Sequence, residues 1–272
     1  MLSPAQMASA VEEAMHHKAT TSPLRSLLLA FSGGGYIALG FVFYTTSQVG
    51  ADALPWGVAK VIAGLVFSFG LALVVLTGSD LFTSTTMTLM AKASGLISWL
   101  QLFRHWGLVY VGNAIGALTV VALCYFGGLQ DNAGGQWGEV VVATATTKVG
   151  HTWFEAFVLG IGCNILVCAA VWTAFAGRGP ADKILAVMGP VAIFVASGFE
   201  HSVANMFMIP YGLFLGGNGL TWDAFLLANL IPVTLGNIVG GGAMIGLYYW
   251  VIFRRKDGRV AVTAPTRDDD AT

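Results

Sequence analysis

Charge is what this chain most lacks. Only 10% of its 272 residues are Asp, Glu, Lys or Arg, less than half of the roughly 25% usual in a soluble domain. So little charge excludes a water-facing globular surface, and with 56% hydrophobic residues and 35 glycines the chain reads as a polytopic membrane protein. Neither sign is in excess: the net charge is -1, and no basic run is interleaved with aromatics, which excludes nucleic-acid binding. Catalytic signatures are missing as well. There is no His-Glu-x-x-His, Gly-x-Ser-x-Gly, Cys-x-x-Cys or Walker lysine, so no enzyme activity and no cofactor are expected, and ATP-driven transport would need a partner subunit. Cysteine is scarce. Cys124, Cys163 and Cys168 fall inside apolar segments, and Cys163 and Cys168, five apart on a helix, point to different faces and suit neither a disulfide nor a metal site. They read as reduced, structural residues. No basic region precedes a short apolar core at the N-terminus, so no cleaved signal peptide is expected.

What the chain does have is apolar length. A spanning helix needs ~20 apolar residues, and six regions supply it: about 27–48, 57–91, 101–126, 152–177, 181–215 and 224–253. The second and fifth are too long for one simple crossing, and each is interrupted. Gly78-Ser79-Asp80-Leu81-Phe82-Thr83-Ser84 breaks the second, and Gly198-Phe199-Glu200-His201-Ser202-Val203-Ala204-Asn205 breaks the fifth. Carboxylates and irregular backbone are costly in hydrocarbon, so they persist where protein encloses them or where they line a pathway. Breaks at matching places in two halves point to a transport site. The class implied is a membrane channel or transporter.

The halves carry further marks of repetition. Gly112-Asn113-Ala114-Ile115-Gly116 in the third span matches Gly236-Asn237-Ile238-Val239-Gly240 in the sixth, and Gly78-x-Asp80 matches Gly198-x-Glu200. With three crossings per half, the second copy enters the membrane from the opposite side, which predicts an all-α fold of two inverted three-helix repeats, about 25–127 and 150–254, with breaks facing each other near the midplane. Basic residues set the orientation. Lys18, Arg25, Lys92, Arg104, Arg178, Lys183, Arg254, Arg255, Lys256, Arg259 and Arg267 lie on one side, and only Lys60 and Lys148 on the other. Both termini are therefore expected in the cytoplasm.

Outside the spans, Ser3-Pro4-Ala5-Gln6 offers an N-cap serine, a proline at the first helical position and a capping-box glutamine. Residues 1–24 are accordingly read as a cytoplasmic segment carrying an amphipathic helix that lies along the membrane surface or forms a partner-free tail. The channel body is read as 25–256, and 257–272 as a disordered cytoplasmic tail.

His201 is the sharpest candidate residue. A buried imidazole can donate to an anion or exchange a proton with it; equally, a neutral ring can merely satisfy backbone groups in the broken helix. Asp80 and Glu200 read as caps for the freed amides of the half-helices, with Asn205 as a further support of the second break. Among Thr83, Ser84, Thr85 and Thr86, a hydroxyl on a pore wall would offer polarity without charge, while most hydroxyls of this kind cap their own backbone. For Asn164, helix-to-helix bonding competes with pore lining. Phe67, Phe69, Phe82, Phe194 and Phe199 lie near the breaks, where rings can dewet a pore or simply pack.

Assembled, these motifs resemble the formate/nitrite transporter family, most closely its formate channels. The resemblance is carried by the two broken segments, by Gly162-Cys163-Asn164-Ile165-Leu166-Val167-Cys168, by the continuation Met206-Phe207-Met208-Ile209-Pro210, and by Ile231-Pro232-Val233-Thr234 leading into Gly236-Asn237; it covers about residues 3–256. It implies an aquaporin-like six-helix fold in a bacterial inner membrane, assembled as a homopentamer with one pore per subunit. It implies His201 in the lumen near Thr83 and Asn164, apolar constrictions at Phe67, Leu71, Leu81, Phe82, Val167, Phe194 and Ala204, and Lys148 as an anion-attracting lysine. The implied activity is passive, pH-gated passage of formate and similar small monovalent anions, with the N-terminal helix and its His16 and His17 as the gate. Alternatives are a nitrite or hydrosulfide channel and a proton-coupled monocarboxylate symporter. A water pore ranks low, since the Asn-Pro-Ala pair of aquaporins is missing.

Overall fold

The computed structural model describes residues 2–255, and besides two short 3-10 turns at Ala51–Ala53 and Leu129–Gly135, eleven α- or π-helical elements order them. They are α1 (Pro4–Thr20), α2 (Pro23–Gln48), α3 (Trp56–Thr77), α4 (Phe82–Thr85), α5 (Thr88–Ala93), α6 (Trp99–Phe126), α7 (Gln136–Val149), α8 (Trp153–Ala174), α9 (Pro180–Ala196), α10 (Ser202–Phe214) and α11 (Ala224–Phe253). No strand occurs among the described residues. The expected tail at 257–272 lies outside them.

The long crossings are α2, α3, α6, α8 and α11, each apolar and long enough to span a bilayer. The remaining one is composite. At 1.5 Å per residue, the 17 residues of α9 reach only about 26 Å, short of a hydrocarbon core of about 30 Å, so α10 is needed to complete it. The other broken crossing divides unequally: α3 has 22 residues, and the pieces after its break have four and six. Equal half-helices do not occur there, because the break comes near one end of the apolar run rather than at its centre. The last crossing opens into wide π-turns over Ala224–Leu230 and Ile238–Leu247, on either side of a regular stretch carrying Pro232, whose missing N–H spoils regular bonding.

Both halves contain a helix that hydropathy did not single out as part of the fold. The Ser3 hydroxyl accepts the Gln6 amide and the Ser3 amide donates to the Gln6 side chain, so α1 starts where expected. It is not a partner-free tail. Ala8, Val11, Met15 and Ala19 recur three or four residues apart and are fully or almost fully buried, packed on α5, α6 and the end of α11. The inter-repeat segment likewise folds into α7, burying Trp137, Val141 and Ala145 at a spacing of four, and α7 packs on α10. The pairs α1·α5 and α7·α10 correspond. Lys18 and Lys148 sit in their last turns, and the following helices start after Ser22 and Thr152, again 130 residues apart, although only Thr152 makes a capping hydrogen bond.

Glycine brings the helices of each half into backbone contact. A β-carbon at Gly116 would overlap the carbonyl oxygen of Phe31, and one at Gly240 would overlap that of Ile161. Those two glycines are the second members of the repeated Gly-Asn-x-x-Gly motif, so the motif holds α6 on α2 and α11 on α8. Large apolar side chains such as Leu24, Leu100, Phe126 and Phe154 remain exposed outside the bundle, as a surface facing lipid or other apolar protein requires.

Candidate functional site

Two breaks of the same construction frame the site. Gly78 and Gly198 end α3 and α9 with φ of 71° and 75°, the left-handed conformation that glycine takes without a β-carbon penalty. The next amides fold back, Ser79 N to Val74 O and Phe199 N to Phe194 O, both at 3.0 Å. Asp80 N then donates to Leu29 O at 3.1 Å and Glu200 N to Leu159 O at 3.3 Å. Leu29 and Leu159 are each the seventh residue of their helix, so each break lies about 10 Å inside its own end of the bundle, on opposite sides of the midplane.

The acids do not cap the freed amides, contrary to the sequence expectation. Asparagines do so instead. Phe82 N donates to Asn113 Oδ1 at 2.8 Å, and Ser202 N donates to Asn237 Oδ1 at 3.0 Å. Asp80 accepts Lys18 Nζ at 2.6 Å, and Glu200 accepts Lys148 Nζ at 2.8 Å. An enclosed carboxylate needs a cation to offset desolvation, whereas a carboxamide can satisfy an amide without bringing charge. Asn205 does support the second break: its Nδ2 donates to Glu200 Oε2 at 2.7 Å and to Asn229 Oδ1 at 2.7 Å. Asn229, not anticipated from sequence, also donates to Lys148 O at 2.8 Å. Its only signal was an uncharged polar residue in an apolar span.

A cavity of about 910 Å³ descends from the end of the bundle that carries Lys60, Lys148 and His151 to a floor at Phe67, Phe194, His201 and Ala204. Leu71, Leu81, Phe82 and Val167 are buried but do not line it. Phe67 meets Phe194 edge-on at 5.8 Å. Phe41 meets Phe67 edge-on at 5.1 Å and lies 5.7 Å from Lys148 Nζ. Phe41 lines the cavity, although sequence gave no reason to separate it from other aromatics of the first span. Phe82 turns the other way, packing on Tyr110 at 4.8 Å. Lys148 lines the cavity with 11% of its side chain exposed, already paired with Glu200.

His201 sits at the floor with both ring nitrogens engaged. Nδ1 accepts the Ala204 amide at 3.1 Å, so the ring itself caps α10, and Nε2 stands 3.1 Å from Thr83 Oγ1. Because Nδ1 accepts, the proton of the neutral ring belongs on Nε2. The ring stacks on Phe194 at 5.9 Å. Thr83 and Asn164 are fully buried and do not line the cavity, so of these three residues only His201 faces it.

Asn164 is fully buried and its amide serves the protein. Nδ2 donates to Thr83 O at 3.0 Å, to Thr86 Oγ1 at 3.2 Å and to Asn237 O at 2.5 Å. Cys168 joins this cluster through its thiol, 3.5 Å from Thr83 O. Asn164 therefore braces the Thr83 segment from behind. Of the other hydroxyls, Ser84 donates to Leu81 O and Thr86 to Thr83 O, capping their own turn.

At the opposite end, α1 covers the bundle. Lys18 reaches Asp80 and, at 3.4 Å, Ser79 O; Arg104 donates to Ala19 O at 3.2 Å. Glu12 accepts Arg254 Nε at 2.9 Å and Nη2 at 2.6 Å, and Ser94 also donates to it. Among the described residues no group of three or more His, Cys, Asp or Glu side chains is disposed to hold a metal ion.

The sequence profile described as "Formate/nitrite transporter" matches residues 5–251. The chain is 47% identical to the formate channel FocA of Escherichia coli strain K12, across 94% of this chain and 96% of that protein. It is 46% identical to the formate channel FocA of Haemophilus influenzae, across 91% and 93%. A solved structure titled "Pentameric formate channel with formate bound" superposes with a TM-score of 0.81 at 44% identity, covering 86% of this chain and 98% of that one. A second, titled "FNT family ion channel", gives 0.75 at 32% identity, covering 90% and 96%. Shared along nearly its whole length and in its three-dimensional course, this likeness means that the chain belongs to the formate/nitrite transporter family.

Proposed function

We propose that the protein is a passive channel for formate and similar small monovalent anions, working as a homopentamer in the bacterial cytoplasmic membrane with both termini cytoplasmic. The observation that carries this reading is His201, an uncharged polar group at the floor of a cavity otherwise closed by Phe67, Phe194 and Ala204, held by Thr83 directly behind it. A bare carboxylate meets a steep penalty at a ring of apolar groups, and the penalty falls when donors replace its water. Neutral donors lower that barrier without trapping the anion as a fixed cation would. Lys148, at the cavity wall, adds a favourable field for an approaching anion. The apolar exteriors and the pentameric relative support the assembly.

Proton lending is the second reading. Transfer of the Nε2 proton to formate would leave an imidazolate unless Nδ1 were protonated first, and a proton on Nδ1 would oppose the Ala204 N–H that now points at it. The geometry therefore favours a neutral ring acting through hydrogen bonds. α1 is the proposed gate of the cytoplasmic mouth.

Flux of formate into liposomes, with and without a pH gradient, tests these readings. Equilibration down the formate gradient is expected, and uphill accumulation driven by protons would replace the channel with a symporter. His201→Gln keeps a donor but cannot exchange a proton. Unchanged flux and pH dependence in that variant would end proton lending, and loss of all flux in Gln as in Leu would favour it. Nitrite and hydrosulfide carried faster than formate would shift the substrate within the family. Deletion of residues 1–20 should abolish pH-dependent closure.

A further inference from the structure

Asn113 and Asn237 are the repeated element that the transport reading leaves without a role. Both are fully buried, and each uses its side-chain oxygen and amide group in the same way. Asn113 accepts Phe82 N at 2.8 Å and donates to Ala30 O at 2.6 Å and Asp80 O at 2.9 Å. Asn237 accepts Ser202 N at 3.0 Å and donates to Gly160 O at 2.8 Å and Glu200 O at 3.0 Å. One oxygen and two N–H groups match one amide and two carbonyls. Aspartate would lose both donors and set a carboxylate against two carbonyl oxygens, and serine could meet only part of the set.

The bonds straddle one residue at each break. Asn113 holds the carbonyl of Asp80 and the amide of Phe82, and so fixes Leu81 between them. Asn237 holds the carbonyl of Glu200 and the amide of Ser202, and so fixes His201. Leu81 and His201 thus occupy the same place in the two halves, one apolar and one polar. The halves differ once more. Asn237 O also accepts from Asn164, which donates on to Thr83 O, whereas the place corresponding to Asn164 in the first half is Gly34, which has no side chain to do this. A single strut therefore ties the His201 bracket to Thr83.

We infer that Asn237 is a positioning residue that sets the His201–Thr83 geometry, and that Asn113 is its counterpart, setting the position of Leu81 as an apolar constriction beyond the cavity floor. The inference rests on the channel reading. Its physical basis is that a buried amide or carbonyl left unpaired is expensive, so a freed bracket shifts the backbone until each group finds a partner.

The test uses the full chain in liposomes, with formate and acetate flux as readouts and Asn237→Asp, Asn237→Ser, Asn113→Asp and Asn113→Ser as variants. Asn237 variants should lower formate flux about tenfold, and in their background His201→Gln should change flux by less than about twofold, since a displaced ring has nothing left to lose. Asn113 variants should raise the acetate-to-formate ratio several-fold, while His201→Gln keeps its full effect. Equal loss of both fluxes with additive His201→Gln effects would make the asparagines merely structural and overturn the inference. Failure of both variants at one position to yield folded protein would assign that asparagine to folding alone, and overturn the inference there. If the wild-type protein carries no formate, the channel reading fails instead, and the result is distinguishable because it needs no variant.

Discussion

Tyr110 and Thr234 hydrogen-bond to each other at 2.9 Å across 124 residues, the same separation that relates Asn113 to Asn237. They are corresponding positions in the two halves. Corresponding positions can come within side-chain reach only if both lie near the axis that relates them, so this bond places the pseudo-two-fold axis between α6 and α11. Asn113 and Asn237 lie one helical turn further along the same helices. The axis thus passes close to the two brackets that shape the pathway.

That bond should be measurable as a coupling. Tyr110→Phe and Thr234→Val each remove one partner, and the double variant should cost less than the sum of the singles by about 0.5–1.5 kcal/mol. Thermal unfolding in detergent with all three variants reads this directly, and strict additivity would mean the two hydroxyls contribute independently.

Thr83→Val removes the hydroxyl facing His201 while keeping the volume. Formate flux should fall by roughly tenfold, because His201 loses the partner that holds it at the cavity floor, with stability lower by about 1–3 kcal/mol since the buried Nε2–H is left without its acceptor. Unimpaired flux would mean that His201 does not need Thr83.

Lys148→Met strands the Glu200 carboxylate, which is almost wholly buried. Its remaining hydrogen-bond partners, Asn205 and Asn229, are neutral, and the His151 ring stands 3.9 Å away. We expect destabilisation of roughly 3–5 kcal/mol, largely recovered in Lys148→Met with Glu200→Gln. If the double variant is no more stable than the single, the lysine acts by something other than neutralising Glu200.

Glu12 and Arg254 tie α1 to the end of α11. Replacing Arg254 by Leu should speed trypsin cleavage after Lys18 several-fold while leaving the transmembrane body intact, because Ser94 alone would then hold Glu12. A cleavage rate equal to wild type would mean that packing of Val11 and Met15 holds α1 without the ion pair.

Where the chain could be read directly, the signal was local. Apolar runs revealed the crossings because hydrophobic length is a property of contiguous residues. The glycine breaks and the Gly-Asn-x-x-Gly repeat were visible for the same reason, and the repeat proved to carry both close helix contacts and both amide caps. The helix α1 was legible at its start through Ser3 and Gln6, but its burial was not, since a stripe of Ala8, Val11, Met15 and Ala19 suits lipid and protein equally. The helix α7 escaped notice because 14 residues are too few to register as a span.

Sequence by itself determined the six crossings, the two interruptions and the inverted relation of the halves, because each depends on the cost of exposing backbone or charge to hydrocarbon, and that cost is paid residue by residue. Tertiary structure alone decided the partners. Asp80 meets Lys18 across 62 residues and Glu200 meets Lys148 across 52, while the caps that seemed to belong to those acids come from Asn113 and Asn237. No spacing along the chain encodes such meetings. They arise where helices from different parts of the sequence pack, and the packed surroundings determine which neighbour can neutralise a carboxylate and which can only share a hydrogen bond.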